Sequence, residues 1–167
     1  LATVGQSSLA NKVYRLTADC TMATVYGLAE VGAWTARAVA SNFAIVGNQV
    51  YAPSGALWRV GLSNPALPNL VGSYNTAGDG RGVTVVGNRA YIADGSRGLT
   101  VIDLSNPSAT PGRLDTPGTA TDIIVQGNYA YLADGSGGVR VINIVNPASP
   151  QLVGAYVTPG NATAIAL

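Results

Sequence analysis

The chain contains no histidine. That one absence removes the usual general base, the Ser-His-Asp and Cys-His arrangements, and the commonest transition-metal ligand. Cys20 is the only cysteine, which excludes an internal disulfide and a multi-cysteine zinc site; it reads as a small buried apolar side chain. Lys12 is the only lysine and Glu30 the only glutamate, so a pair of catalytic carboxylates would have to come from the seven aspartates. Charge is sparse: nine Lys plus Arg stand against eight Asp plus Glu, with no basic run to meet a phosphate backbone, and nucleic acid is not expected as a partner. Apolar runs are broken by Gly, Arg or Glu well short of the roughly 18 residues a transmembrane segment needs, and no signal-peptide pattern is present. The first residue is Leu1, so the terminus carries no information on localisation.

What the sequence does have is turn residues and a period. Hydrophobic residues make up 47% of the chain, enough for a well-buried fold, and 21 Gly and nine Pro are spread throughout, as suits short strands joined by tight turns. Gly-Asn recurs at Gly47-Asn48, Gly87-Asn88 and Gly127-Asn128, each step being 40 (87 − 47 and 127 − 87), and Tyr51, Tyr91 and Tyr131 keep the same step. Asn-Pro closes each unit at Asn64-Pro65, Asn106-Pro107 and Asn146-Pro147. A worn copy lies in front, where Asn11 and Tyr14 precede Asn48 and Tyr51 and "EVGAW" from Glu30 anticipates "LVGSY" and "LVGAY". At the back, "TPGNATAIAL" repeats "TPGTATDIIV" from Thr116.

Within a unit the apolar runs are four to eight residues long, rich in Val, Ile and Tyr and fenced by Gly, Pro, Asn and Asp, which is strand chemistry. In the third clear unit the pattern predicts strand A at 120–125, strand B at 129–133, a turn at 134–138, strand C at 139–144 and strand D at 151–157. Stretches such as "DIIV" and "VRVINI" do not alternate cleanly between apolar and polar, so both faces of each sheet must be covered. Four strands per unit of about 40 residues is the count of a propeller blade, which buries its faces only against neighbouring blades. The expected fold is therefore all-β: a single β-propeller region over 1–167, with a degenerate blade at 1–40, blades at about 41–80, 81–118 and 119–159, and the start of another at 160–167. Four blades plus one strand predict an arc of a larger propeller of about six to eight blades, completed by other sequence or by another chain. Such an arc, made alone, is expected to aggregate, stay partly unfolded or pair through its end blades.

These residues resemble the LVIVD-repeat β-propellers, named for a motif on the third strand of the blade. The corresponding stretches are Leu99-Thr100-Val101-Ile102-Asp103, Val139-Arg140-Val141-Ile142-Asn143 and Leu57-Trp58-Arg59-Val60-Gly61. Gly61 and Asn143 depart from the motif Asp, which favours a turn-stabilising role for it. The resemblance implies a secreted or surface protein, often one module of a longer chain, with no catalytic chemistry attached to the repeat.

Functional expectations follow from the turns. Asp94 and Asp134 each open a "DGS" turn and read as structural, their carboxylates accepting backbone N–H bonds. On that reading Asp134→Ala costs about 0.5 to 2 kcal/mol and leaves metal content unchanged. Propeller topology brings the D-to-A and B-to-C connections to one face, where Asp79, Arg81, Asp94, Arg97, Asp122 and Asp134 form a candidate recognition set. Trp58, at the position of Thr100 and Arg140, reads as inter-blade packing. No catalytic residue, cofactor or metal is expected. The first functional expectation is a non-enzymatic extracellular or cell-surface module, whose partners are other blades, another protein chain or a glycan. An architectural subunit of a surface layer or filament, and a propeller lyase or lactonase completed by blades outside this sequence, are the alternatives.

Overall fold

The computed structural model describes residues 13–16, 21–26, 29–35, 42–106 and 108–166. The expectations on Cys20, Asn11, Pro107 and Leu167 lie outside them. A three-stranded antiparallel sheet comes first, β1 (Val13–Leu16), β2 (Thr21–Tyr26) and β3 (Ala29–Thr35). Three four-stranded meanders follow. The first is β4 (Ala44–Val46), β5 (Gln49–Pro53), β6 (Leu57–Gly61) and β7 (Asn69–Tyr74); the second is β8 (Gly82–Val86), β9 (Arg89–Ala93), β10 (Leu99–Asp103) and β11 (Gly112–Leu114). The third is β12 (Asp122–Gln126), β13 (Tyr129–Ala133), β14 (Val139–Asn143) and β15 (Gln151–Tyr156). Strands A to D of the third clear unit thus fall where the pattern places them, with strand A starting two residues later, at Asp122.

Local chemistry explains each corner. The A-to-B hairpin pairs Gln126 with Tyr129 across a two-residue turn whose Gly127 has φ +58°, a conformation that primed hairpin turns require and glycine adopts without cost. At the C-to-D corner Asp103 Oδ1 accepts from the Ser105 amide at 2.9 Å, and Asn143 Oδ1 accepts from the Val145 amide at 2.9 Å. The Ser105 hydroxyl also donates to Asp103, and this bond, before the amide's, holds the Asp103 carboxyl below the usual range. The motif aspartate is a corner cap, and Asn143 does its work without the charge. Asn64 and Asn146 likewise accept from the amides two residues on, Ala66 at 3.1 Å and Ala148 at 3.2 Å.

Three of the four C-to-D pairs carry a register shift at one place, the short β10–β11 pair being regular. It falls beside Thr24, paired with Gly32; beside Arg59, paired with Gly72; and beside Val141, paired with Gly154. The shared irregularity identifies β2 and β3 as strands C and D of the front unit, and β1 as its strand B.

The period of two along each strand sends alternate side chains to opposite neighbours. From the middle blade, Ala90, Ile92, Ile102 and Val83 pack with Tyr51, Leu57 and Tyr74 of the blade before it. Tyr91, Ala93, Leu99 and Val101 of the same blade pack with Ile123, Ala130, Leu132 and Ile142 of the blade after it. Both faces of the middle sheet are core, so the lack of alternation is a direct consequence of stacking. Blades also touch closely outside the core: a Cβ on Gly112 would run into the carbonyl oxygen of Pro147 in the next blade. Gly112→Ala is expected to destabilise the fold by about 1–3 kcal/mol, read as a lowered urea midpoint at unchanged m-value.

Candidate functional site

The B-to-C turns are built alike. Asp94 N donates to Gly98 O and Asp134 N to Gly138 O, both at 2.7 Å, and Gly95, Gly98, Gly135 and Gly138 all take positive φ. These turns do not stand free. In the junction between the second and third blades, Gly95 bridges to Ala120, whose amide donates to Gly95 O at 2.9 Å. After the third blade, Gly135 bridges to Ala162, the two residues exchanging bonds of 3.0 and 2.9 Å. Each turn is therefore stitched to the segment leading into the next strand A.

The aspartates that open these turns fasten a second connection. Asp134 is fully buried, and its carboxylate accepts from Thr116 Oγ1 at 2.6 Å, the Gly118 amide at 3.1 Å and Arg140 Nε at 3.2 Å. Thr116 and Gly118 belong to the preceding D-to-A connection, so the carboxylate joins two loops instead of closing its own turn. No room is left for a side chain between them, since a Cβ on Gly118 would overlap Asp134 O. Arg140 is itself nearly buried, with a side-chain exposure of 10%, and forms an ion pair with Asp134. Asp94 occupies the same place one blade earlier and accepts from Thr100 Oγ1 at 2.8 Å. Its Oδ1 and the Thr76 hydroxyl are both buried without a hydrogen-bond partner; the hydroxyl lies close enough to favour the carboxylate but outside bonding geometry. In the first clear blade, Trp58 Nε1 donates to the carbonyl of Ser54 at 3.1 Å. One position of the motif, filled by Trp58, Thr100 or Arg140, thus holds the residue that begins the B-to-C turn. Sequence reasoning named the aspartates and missed these partners, although Thr76 and Thr116 recur 40 residues apart.

Burial pushes the Asp94 carboxyl above the usual range, opposed by Thr100, Thr76, Arg113 and Arg97. A raised native pKa means that the folded state binds this proton more tightly than the unfolded chain does. Stability is then fullest below the ordinary carboxylate range and declines as pH rises through the window between the ordinary and raised values. Asp94→Asn removes that decline. Its melting temperature relative to wild type should rise as pH is raised above the ordinary carboxylate range, measured by thermal scans at matched ionic strength.

The six charged residues of the recognition set separate accordingly. Asp94 and Asp134 are buried and cannot face a partner, a correction with a clear cause: their carboxylates are consumed by Thr100, Thr116, Gly118 and Arg140. Asp122 points along the inner strands, where it accepts from Asn42 Nδ2 at 3.2 Å and from the Ile165 amide at 3.1 Å, linking the starts of three units. Arg97 is exposed on its turn, and Asp79 and Arg81 form an exposed ion pair at 3.1 Å. Arg81 of the set lines a groove. This groove of about 380 Å³ lies on the rim between Arg81, Thr119, Thr121, Gly135, Ser136, Asn161 and Thr163. It is lined by hydroxyls, one amide and one guanidinium, groups that bind and orient a polar ligand without offering an acid–base pair. Among the described residues no group of three or more His, Cys, Asp or Glu is placed to hold a metal ion, and no helix is long and apolar enough to cross a membrane.

Four-stranded meanders stacked face to face, with connections gathered on one rim, define a propeller-type repeat protein. Solved structures agree. The computationally designed Ika8 protein superposes with a TM-score of 0.77 at 15% identity over 96% of this chain and 51% of its own. The RRP9 WD40 repeats superpose with a TM-score of 0.70 at 12% identity over 85% of this chain and 47% of theirs. The chain thus spans about half the length of either structure. The LVIVD repeat model matches residues 38–76, 77–111 and 117–158, and the chain belongs to the LVIVD-repeat family. No curated protein matches it.

Proposed function

We propose that this chain is a non-enzymatic interaction module of an extracellular or cell-surface protein, and that its rim is the surface offered to a partner. The observation that carries the reading is the groove beside Arg81, whose lining of Thr119, Thr121, Ser136, Asn161 and Thr163 suits a hydroxyl-rich ligand bearing a carboxylate, the chemistry of an acidic glycan. The walls are well fixed: Thr121 Oγ1 donates to the carbonyls of Ala133 and Ala162, both at 3.1 Å, and Arg81 N donates to Ala93 O at 2.8 Å. Preorganised polar walls bind with less entropic loss than mobile loops do. The absence of histidine from the sequence supports a binding role over a lyase or lactonase.

Calorimetric titration with an oligogalacturonate and with a neutral gluco-oligosaccharide tests this. The acidic oligomer should bind in preference. Arg81→Ala should weaken it roughly 10- to 100-fold, the loss expected for one charge-assisted hydrogen bond, with the fold unchanged by circular dichroism. Binding of neither sugar, or binding indifferent to Arg81, would remove the glycan reading.

A further inference from the structure

The middle blade is two residues short at its outer edge. From the Asn of the Asn-Pro corner to the Gly of strand D, the first and third clear units take eight residues (72 − 64 and 154 − 146), whereas the second takes six (112 − 106). The missing pair has a place in the sheet. In the neighbouring blades Asn69 and Leu70 pair with Gly61 and Val60, and Gln151 and Leu152 pair with Asn143 and Ile142. In the middle blade the ladder stops at Gly112, opposite Val101, and Ile102 and Asp103 have no partner on β11. Pro111, directly before Gly112, has no amide with which to extend the strand.

A groove of about 250 Å³ lies at that edge, at the end of the strands opposite the rim. Val101 and Thr110 of the middle blade and Pro147 and Ala148 of the next one line it, together with two charges, Arg89 and Asp103. These two are partners in register on β9 and β10, yet among the described residues neither takes part in a salt bridge. The bonds of Asp103 to Ser105 run through Oδ1, which leaves Oδ2 for a donor in the groove. The charged pair belongs to the shortened blade: the same two positions hold Gln49 and Gly61 in the first clear blade, and Tyr129 and Asn143 in the third.

We propose that this groove binds a short zwitterionic peptide, two residues in extended form beside Ile102 and Asp103, with its carboxylate on Arg89 and its ammonium on Asp103 Oδ2. Length and charge select this ligand. Two extended residues are what the edge lacks relative to its neighbours, and an extended peptide beside an open strand edge is held by main-chain bonds. A guanidinium and a carboxylate that do not neutralise each other suit a ligand bearing one charge of each sign, each end making a charge-assisted bond. Val101, Pro147 and Ala148 leave apolar surface for small side chains. The site goes beyond the binding role of the rim and stands whether or not the groove beside Arg81 takes a glycan.

Titration of the isotope-labelled chain with the dipeptide Ala-Leu, followed through amide chemical shifts, tests this. Asp103, Thr110 and Ala148 should move, and Ser136 of the rim groove should not. N-acetylation or C-amidation of the dipeptide should each weaken binding about tenfold or more. Arg89→Gln, which installs the residue of the first clear blade, should abolish the preference for the free carboxylate over the amide. Asp103→Asn should abolish the preference for the free amine, and it keeps the corner cap, as Asn143 does in the third blade. Insertion of Gln-Leu between Thr110 and Pro111 gives the corner its neighbours' length and should remove binding while the fold persists. No movement at Asp103, Thr110 and Ala148 at saturating dipeptide would overturn the proposal. So would equal binding of the free and doubly capped dipeptides, which would mean a segment of a partner chain in place of a zwitterion, or undiminished binding to the insertion variant.

Discussion

Asp134→Ala should destabilise the protein by about 3–5 kcal/mol, well above the loss of an exposed turn residue. The substitution strips a buried carboxylate from Thr116, Gly118 and Arg140 together and leaves the Arg140 guanidinium, at 10% side-chain exposure, without its counter-charge. Removing one member of a buried ion pair costs that much because the remaining charge has neither water nor partner. The double variant Asp134→Ala, Arg140→Thr should recover a large part of the loss, since it removes the buried guanidinium that the single variant leaves without its counter-charge. Equilibrium denaturation of the two variants measures both effects. A single-variant cost within the 0.5 to 2 kcal/mol of an ordinary capping loss would mean that the clasp is open in solution.

The second large effect lies in the core. Leu99 opens the LVIVD motif of the middle blade, is fully buried, and packs with Ile123, Ala130, Leu132 and Ile142 of the third blade. Leu99→Ala should cost about 2–5 kcal/mol, through lost transfer energy and the cavity left between two sheets that cannot close on it. Leu99→Met, which keeps the volume, should cost less than about 1.5 kcal/mol. Because the lost contact lies between blades, unfolding of the Ala variant should also broaden, with the third blade melting ahead of the first two; the denaturant slope and two independent spectroscopic probes would show it.

Both effects bear on what could be read from the residues alone. The 40-residue step, the Gly-Asn hairpins and the Asn-Pro corners carried the four-stranded unit and most strand limits, because each rests on local backbone chemistry that a sequence displays. The double-faced core was legible for the same reason: "DIIV" and "VRVINI" have no wet side, and the middle blade indeed buries both. The candidate site was less legible. Asp94 and Asp134 have the signature of exposed turns, and nothing local says that their carboxylates turn inward. That depends on Thr116 and the Gly118 amide, which come from the connection before the blade and meet Asp134 only in the fold, so the information is tertiary. Thr100 and Arg140 were not singled out by the pattern, yet they are the residues that hold the turn. Asp122 looked like one of several rim charges; its bonds to Asn42 and Ile165 span 80 and 43 residues, beyond any local pattern.

The account as a whole holds that the rim of the second and third clear blades is one stitched surface, the turns at Asp94 and Asp134 each joined to the lead-in of the next strand A and anchored by a buried aspartate. Native-state hydrogen exchange, followed amide by amide, tests this most directly. The Ala120 and Ala162 amides donate across blade junctions to Gly95 and Gly135, and the Gly118 amide donates to Asp134. They should exchange as slowly as the central strands β9 and β13, and Asp134→Ala should release Gly118 and Ala162 before any strand amide. Exchange of these three amides at the rates of free loops in the wild type would contradict the stitched rim and the preorganised groove built upon it.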